Sequence, residues 1–457
     1  MRARVTPGAT VGGEVRVPGD KSISHRWLLM AATANGSSRL EGVPRSFDTL
    51  STATCLAMLV PAARPALEAW ASSPSVAGER HGSTWNRDAS TLDLDTLDLQ
   101  GEGRRSLRRP THELNCGNSG TTMRLVAGLA SSSLFETVLR GDASLASRPM
   151  ERVAKPHRAM GADVTTEDGH PPLTIRGSEL RGIRFEPEVP SAQVKTAVLF
   201  AGLYADRGPT TVVEPLPSRD HTERLLPALG ARVRRAGHEV SVWPVDRLAP
   251  LDLQIPGDFS AAAPFIVAAA LVPGSRARIH GVNVNPTRTG LLDVLERMGV
   301  GIALFNRRKE GGEPVGDLEV RSPERDLRAA EIGREEVPRM VDELPLFALA
   351  AGLARGVSVV RGAEELRVKE TDRIETVTEG LHAVGIRIEA HRDGFRIRGV
   401  PNRPTGGRID AHGDHRIAML GAVAGLVSRD GVELEGADTV AISFPGFFEL
   451  LDSVVRR

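Results

Sequence analysis

Apolar and polar positions along this chain alternate in one recurring order. A small polar cluster opens a helix rich in Ala, Leu and Gly. A Gly-bounded β-type run follows, then a polar turn and a second helix that often ends in Leu-Gly or Met-Gly. One or two short strands close the unit. Six first helices are predicted, beginning near Asp20-Lys21-Ser22, Asn118-Ser119-Gly120, Ser191-Ala192-Gln193, Asp258-Phe259-Ser260, Val341-Asp342-Glu343 and Gly413-Asp414-His415. Second helices are predicted over Thr222–Leu229, Leu291–Met298 and Ile374–Val384, each stopped by a glycine. Short strands such as Ala231-Arg232-Val233 and Ile386-Arg387-Ile388 come next. The period is about 70 to 80 residues, longer than that of a solenoid. Units that mix helices and strands predict α/β architecture.

Six units in 457 residues suggest two lobes of three units each. The N-terminal lobe is expected over 20–254 and the C-terminal lobe over 255–457. The strand-like Gly13-Glu14-Val15-Arg16-Val17 within 1–19 is expected to join the C-terminal lobe. Two crossings, near Gly19 and Pro256, would then form a hinge. Pro61 to Pro110, rich in Pro, Ser, Gly and Arg, breaks the repeat and reads as a mostly surface insertion, partly mobile, carrying Trp70 and Trp85.

Composition narrows the function. The 58 basic and 58 acidic residues cancel, so nothing global favours nucleic acid or an anionic membrane. Cys55 and Cys116 are the only cysteines, which leaves no disulfide framework and no cysteine-rich zinc site. No apolar run is long enough to span a bilayer, and Met1 to Pro18 has no signal-peptide core, so a cytoplasmic protein is expected.

Charge is concentrated locally instead. Arg367-Val-Lys-Glu-Thr-Asp-Arg373 carries three Arg/Lys and two carboxylates at the start of a helix read as Thr371 to Leu381, with Ile374, Val377 and Leu381 at helical spacing. If that helix begins early, Lys369 and Arg373 share a face, with Glu370 beside it. Ordinary N-capping explains any single polar cluster at a helix start. It does not explain Lys21, Arg26, Arg148, Lys369, Arg373 and Arg416 recurring at equivalent joints, nor Asp342-Glu343 and Asp414-His415-Arg416. Helix starts lined with cations suit phosphate and carboxylate. The sequence has no Walker A loop, no Gly-x-Gly-x-x-Gly after a strand, no His-Glu-x-x-His, no Cys-x-x-Cys and no serine nucleophile elbow. Small polyanionic substrates and proton transfer, with no cofactor and no metal, are what remain.

Seven motifs in order carry a resemblance: Lys21-Ser-Ile-Ser-His-Arg26, Asn118-Ser-Gly-Thr121, Ser147-Arg-Pro-Met150, Ser191-Ala-Gln193, Ser218-Arg-Asp-His-Thr222, Arg367 to Arg373, and Gly413-Asp-His-Arg416. Together they resemble the 5-enolpyruvylshikimate-3-phosphate synthases of the enolpyruvyl transferase family, over nearly the whole chain except Pro61 to Pro110. The resemblance implies two similar lobes, each of three βαβαββ units (an inside-out α/β barrel), with the site in the interdomain cleft. It implies transfer of enolpyruvyl from phosphoenolpyruvate to shikimate 3-phosphate, with release of phosphate, no cofactor, and a monomer. By the same resemblance, Lys21, Ser22, Arg26, Ser191, Ala192, Gln193, Ser218, Asp342 and Lys369 would hold shikimate 3-phosphate. Lys21, Asn118, Gly120, Arg148, Gln193, Arg373 and Arg416 would hold phosphoenolpyruvate, and glyphosate would compete there. Asp342 would take the proton of the 5-hydroxyl, and Glu370, assisted by Lys21, would protonate the methylene carbon.

Two positions depart from the pattern of some members: Ile442 stands where they have Lys, and His221 where they have Tyr. The sister enzymes that use a UDP-amino sugar carry a reactive Cys in the loop matching Gly141 to Arg148, and this loop has none. A non-catalytic repeat scaffold would have little reason to keep Lys21, Asp342, Glu370 and Arg373 together. Two cationic lobe faces are expected to stand apart until shikimate 3-phosphate draws them together.

Overall fold

The computed structural model describes residues 1–73 and 96–456. Six helices follow the polar clusters: α1 (Lys21–Thr33), α2 (Gly120–Ala130), α3 (Ala192–Leu203), α4 (Phe259–Leu271), α5 (Leu344–Gly352) and α6 (His415–Val427). Asp20, Ser119, Ser191, Asp258 and Asp414 each accept a first-turn N–H through the side chain; α5 alone of the six lacks such a cap. These caps satisfy donors that a helix cannot pair internally. Every residue of α4 and α6 is buried, as expected of helices that are apolar all round. Small residues let the helix backbones meet: a Cβ on Gly128 of α2 would lie 2.5 Å from the Ala197 carbonyl oxygen of α3.

Among the described residues the strands form six separate sheets of three to five strands. One order appears three times. Leu114–Asn115 runs parallel to Glu136–Arg140, which pairs antiparallel with His170–Arg176, and that with Asp163–Glu167. Arg184–Phe185, Thr210–Val213, Glu239–Val242 and Val233–Ala236 repeat this order. So do Glu331–Ile332, Gly356–Val360, Gly394–Gly399 and Arg387–His391. One parallel pair joined through a helix, then an antiparallel hairpin, is the βαβαββ unit. Strands such as His170–Arg176 bury alternate residues, so the sheets cover the helices with one face and meet solvent with the other.

Two apolar cores result. One gathers residues from Ile23 to Ile255, the other Val5 to Val17 with Phe259 to Val455. The strand Arg2–Val5 pairs with Val432–Glu435, and Thr10–Val15 lies between Arg276–Asn283 and Val455–Arg456. The chain passes between the cores at two adjacent crossings. Asp20 N–H donates to Pro256 O at 2.7 Å, Asp258 N–H donates to Pro18 O at 2.8 Å, and Gly19 bridges to Gly257. A Cβ on Gly19 would lie 2.1 Å from Gly42 O, so only glycine fits this crossing. Among the described residues no helix is long and apolar enough to cross a membrane.

Two sequence expectations are corrected. The helix read from Thr371 spans Arg373–Ala383, because Asp372 caps it by accepting the N–H groups of Ile374 and Glu375. Lys369 is extended, following the 3₁₀ turn Glu364–Val368, so it shares no helical face with Arg373. The described ends of the Pro61 to Pro110 stretch are built into the first unit and do not lie wholly on its surface. The helix Arg64–Ser72 buries Leu67 and Trp70. The strand Thr96–Glu102 pairs along Asn35–Glu41 and buries Leu97, Leu99 and Gly101. Its period-2 alternation marks it as part of the first unit. Trp85 and the mobility expected around it lie outside the described residues.

Candidate active site

Asp342 precedes α5, and Glu370 lies just ahead of the helix Arg373–Ala383. One guanidinium holds both: Arg373 donates to Glu370 Oε2 at 2.6 Å and to Asp342 Oδ1 at 3.2 Å. Its Nε reaches Asp414 Oδ2, beside the α6 start, at 2.7 Å. Burial would raise the Asp342 carboxyl, but Arg219, Lys369, Arg416 and Arg373 outweigh it and hold it well below the usual carboxylate range. Glu370 is held low in the same way, against burial, by Arg373, Arg148, His415 and Lys369. Burial lowers Lys369, with Asp342 acting against it. Both carboxylates are therefore ionised at rest inside a dense field of cations.

The other wall comes from the helix starts of the N-terminal part. Lys21, the first residue of α1, donates from Nζ to Asp48 at 2.6 Å and from its backbone to Asp258 Oδ2 at 3.0 Å. Ser22 Oγ accepts from Arg219 at 3.5 Å. Asn118 accepts from Arg148 at 2.9 Å and donates to Asp142. Gly120 opens α2 with open backbone beneath two cations, since a Cβ there would lie 2.8 Å from Arg124 Nη1 and 3.3 Å from Arg148 Nη1. Gln193 of α3 accepts from Arg124 and donates to Thr121 Oγ1 at 2.8 Å. Arg416 donates to the Ser260 carbonyl at 3.1 Å.

Three expected substrate contacts are occupied elsewhere. Arg26 is buried and gives its donors to Thr222 Oγ1, Thr196 Oγ1 and the carbonyls of Ser22 and Ala192. It ties α1 to α3 from below. Ser191 Oγ caps α3 at the Val194 N–H. Ser218 turns its hydroxyl to Glu214, which also pairs with the buried Lys195 at 2.8 Å. His221, one of the two departures, donates from Nδ1 to Glu313 Oε1 at 2.8 Å, deep between the two cores.

Sequence reasoning missed several members of this cluster. Arg219 meets Asp342 from the opposite core, Arg124 lies under Gly120, and Asp48 receives Lys21. Arg219 lies within Ser218-Arg-Asp-His-Thr222, and Arg124 is four residues after Gly120, a spacing that puts both on one helix face; Asp48 gave no signal. His415 also stood in a motif. Burial, with Arg416 and Lys21, pushes its ring well below the usual imidazole range. Neither of its ring nitrogens has a hydrogen-bond partner among the described residues, and Arg148 Nε, Arg124 Nε and Arg416 Nε are likewise unpaired.

The two walls do not simply repel. Arg219 and Asp342 meet at 2.5 Å, Arg148 and Glu370 at 3.5 Å, and Arg152 and Glu365 at 3.1 Å, each pair joining one core to the other. The expectation of two cationic faces that stand apart gave too little weight to the carboxylates, which lie on one side with most of the facing arginines on the other.

A cleft with this charge pattern, set between two stacks of helix-cored α/β units, has the cations to suit small polyanions. The fold recurs in the enolpyruvyl transferase NikO from Streptomyces tendae, with a TM-score of 0.73 at 20% identity over 99% of this chain and 97% of that one. The chain belongs to the EPSP synthase (3-phosphoshikimate 1-carboxyvinyltransferase) family, whose model matches residues 5–75 and 89–451. That match covers most of the Pro61 to Pro110 stretch set aside on sequence. A 3-phosphoshikimate 1-carboxyvinyltransferase of Citrifermentans bemidjiense is 44% identical over 455 residues, 99% of each chain. One of Geobacter sp. is 45% identical over the same span. The EPSP synthase structure from Acinetobacter baumannii has a TM-score of 0.81 at 37% identity, covering 99% of this chain and 98% of that one.

Proposed function

We propose that this chain joins shikimate 3-phosphate to phosphoenolpyruvate in the cleft between lobes 20–254 and 255–457, the latter completed by 1–19. The observation that carries this is the Arg373 guanidinium holding Asp342 and Glu370 together, ringed by Lys21, Arg148, Arg219, Lys369 and Arg416. Asp342 takes the proton of the 5-hydroxyl as that oxygen attacks C2 of phosphoenolpyruvate. Glu370 delivers a proton to C3, which becomes a methyl group, and a tetrahedral adduct forms. The roles then reverse: C3 returns a proton to Glu370, the C2–O bond to phosphate breaks, and Asp342 supplies a proton to the leaving phosphate.

Glu370 is ionised at rest, so it must gain its proton with the substrate. Phosphoenolpyruvate brings a phosphate and a carboxylate that compete for Arg148 and Arg373. Their negative charge raises the Glu370 carboxyl toward a range where it can donate. The cations offset repulsion between two anionic substrates, and the fixed geometry supplies much of the acceleration. Lys21, Asn118, Gly120, Arg148, Gln193, Arg373 and Arg416 are assigned to phosphoenolpyruvate. Lys21, Ser22, Arg26, Ser191, Ala192, Gln193, Ser218, Asp342 and Lys369 are assigned to shikimate 3-phosphate; Ser218 would have to exchange Glu214 for the ligand, and Arg26 acts as the support of Ser22 and Ala192. One chain supplies every group, so a monomer in the cytoplasm suffices. Mixing the protein with both substrates should release phosphate and give a product heavier by one enolpyruvyl group. Phosphate release with a UDP-amino sugar in place of shikimate 3-phosphate would overturn the assignment.

A further inference from the structure

A single buried guanidinium lies where the two crossings meet, outside the substrate cleft. Arg288, 1% exposed, donates from Nη1 to Asp20 Oδ2 at 2.7 Å and from Nη2 to Asp258 Oδ1 at 3.0 Å and Ser260 Oγ at 2.9 Å. His221 Nε2 is 3.4 Å from Nη1. Asp20 and Asp258 are equivalent residues: each follows a crossing, and each caps the first helix of its lobe. Asp20 Oδ1 accepts the Ile23 N–H of α1 at 2.9 Å, and Asp258 Oδ1 accepts the Ser260 N–H of α4 at 2.7 Å. Asp258 also reaches across, its Oδ2 taking the Lys21 N–H. Ser260 in turn presents its carbonyl to Arg416 and its hydroxyl to Glu343, the neighbour of Asp342.

We infer that Arg288 is a positioning residue that registers the start of α1 against the start of α4, and thereby sets Lys21 against Arg416. Two buried carboxylates facing one another without a cation would repel and move apart. The guanidinium fork reaches both at once, which an ammonium on one stem cannot do. Lys21 and Arg416 come from different lobes and have no direct contact among the described hydrogen bonds and ion pairs. Their separation therefore depends on the bonds at the crossings, where Asp258 takes the Lys21 N–H, Ser260 holds Arg416, and Arg288 clamps Asp20, Asp258 and Ser260 together. The shikimate 3-phosphate side is less dependent, since all but Asp342 and Lys369 of the residues assigned to it lie in one lobe, where Arg26 ties Ser22 to Ala192.

The link to Lys21 and Arg416 rests on the function proposed above, so the test has one arm that needs no substrate. Amide hydrogen exchange of the free protein should show faster exchange at Lys21 and Ile23 and at Ser260 together in Arg288→Met. In Arg288→Lys, which keeps a cation for one carboxylate, only one of the two helix starts should loosen; this variant carries the test if Arg288→Met does not fold. Kinetically, kcat/KM for phosphoenolpyruvate should fall about 10²-fold in Arg288→Met, the scale of a misplacement of order 1 Å, with shikimate 3-phosphate affinity changed far less. Adding Asp20→Asn, which removes one of the facing charges while an amide oxygen can still cap Ile23, should recover part of that loss. Unchanged exchange at both helix starts, equal loss for both substrates, or no recovery with Asp20→Asn would overturn the inference. A wild-type protein that releases no phosphate, with exchange responding as expected, would instead overturn the proposed reaction and leave the positioning role standing.

Discussion

Arg219 and Asp342 come from opposite lobes and meet at 2.5 Å. The pair does two things at once. It closes the cleft on one side, and it is the largest attractive influence holding the Asp342 carboxyl down. A base so held is ionised and ready to accept a proton, and the same arginine faces Ser22, where the phosphorylated substrate is assigned. Arg219→Met should therefore weaken shikimate 3-phosphate binding and lower turnover together. Calorimetry of the free substrate and steady-state kinetics would separate the two effects; loss of turnover with unchanged affinity would confine Arg219 to the base.

Asp342→Asn and Glu370→Gln keep shape and remove the proton-carrying group. Turnover should drop about 10²- to 10⁴-fold in each, with both substrates still bound. Normal phosphate release by either variant would remove that residue from the mechanism.

Arg373 touches three carboxylates and is 1% exposed. Arg373→Met should destabilise the fold by about 3–5 kcal/mol, because it leaves buried charges unpaired. Arg373→Lys should recover only part of that stability and should not restore phosphoenolpyruvate affinity, since an ammonium cannot span all three groups. Urea unfolding and substrate titration would check both statements.

The depressed Asp342 and Glu370 groups bind protons less readily folded than unfolded. Stability from them is full above the unfolded values of about 3.9 and 4.3, and it is lost as pH falls through the lower folded values. Unfolding midpoints should therefore fall as the pH is lowered below about 4. In the Asp342→Asn and Glu370→Gln variants that fall should be shallower. An acid limb identical to the wild type in both would show that other carboxylates carry it.

Gly120→Ala places a methyl group against the guanidinium ends of Arg124 and Arg148. Both are flexible tips, so the protein should fold, but the cations must shift. The KM for phosphoenolpyruvate should rise, and inhibition by glyphosate should be partly relieved. An inhibition curve that does not move with this substitution would place Gly120 away from that pocket.

How much of this was legible in the sequence depended on whether the signal was local. Five of the six first helices could be read because their caps, Asp20, Ser119, Ser191, Asp258 and Asp414, stand directly before apolar runs, and the sixth, α5, because Asp342-Glu343 precedes one. The strand Thr96–Glu102 was hidden by its Pro- and Ser-rich surroundings despite clean alternation. Asp372 moved the helix start two residues because a strong cap wins over an early hydrophobic match. The pairs that build the cleft and the crossings beside it join separate elements: Lys21 with Asp48, Arg219 with Asp342, Arg288 with Asp20 and Asp258. No spacing rule reaches across 123 or 268 positions, so such partners emerge only once the chain is folded.

The central claim is that proton addition at C3 precedes loss of phosphate, and the reaction run in deuterium oxide tests it most directly. If Glu370 donates a solvent-derived proton to make a transient methyl group, part of the product should carry deuterium on its methylene carbon, as read by mass spectrometry at partial and full turnover. A product formed at full rate with no deuterium on that carbon would contradict addition–elimination in this cleft.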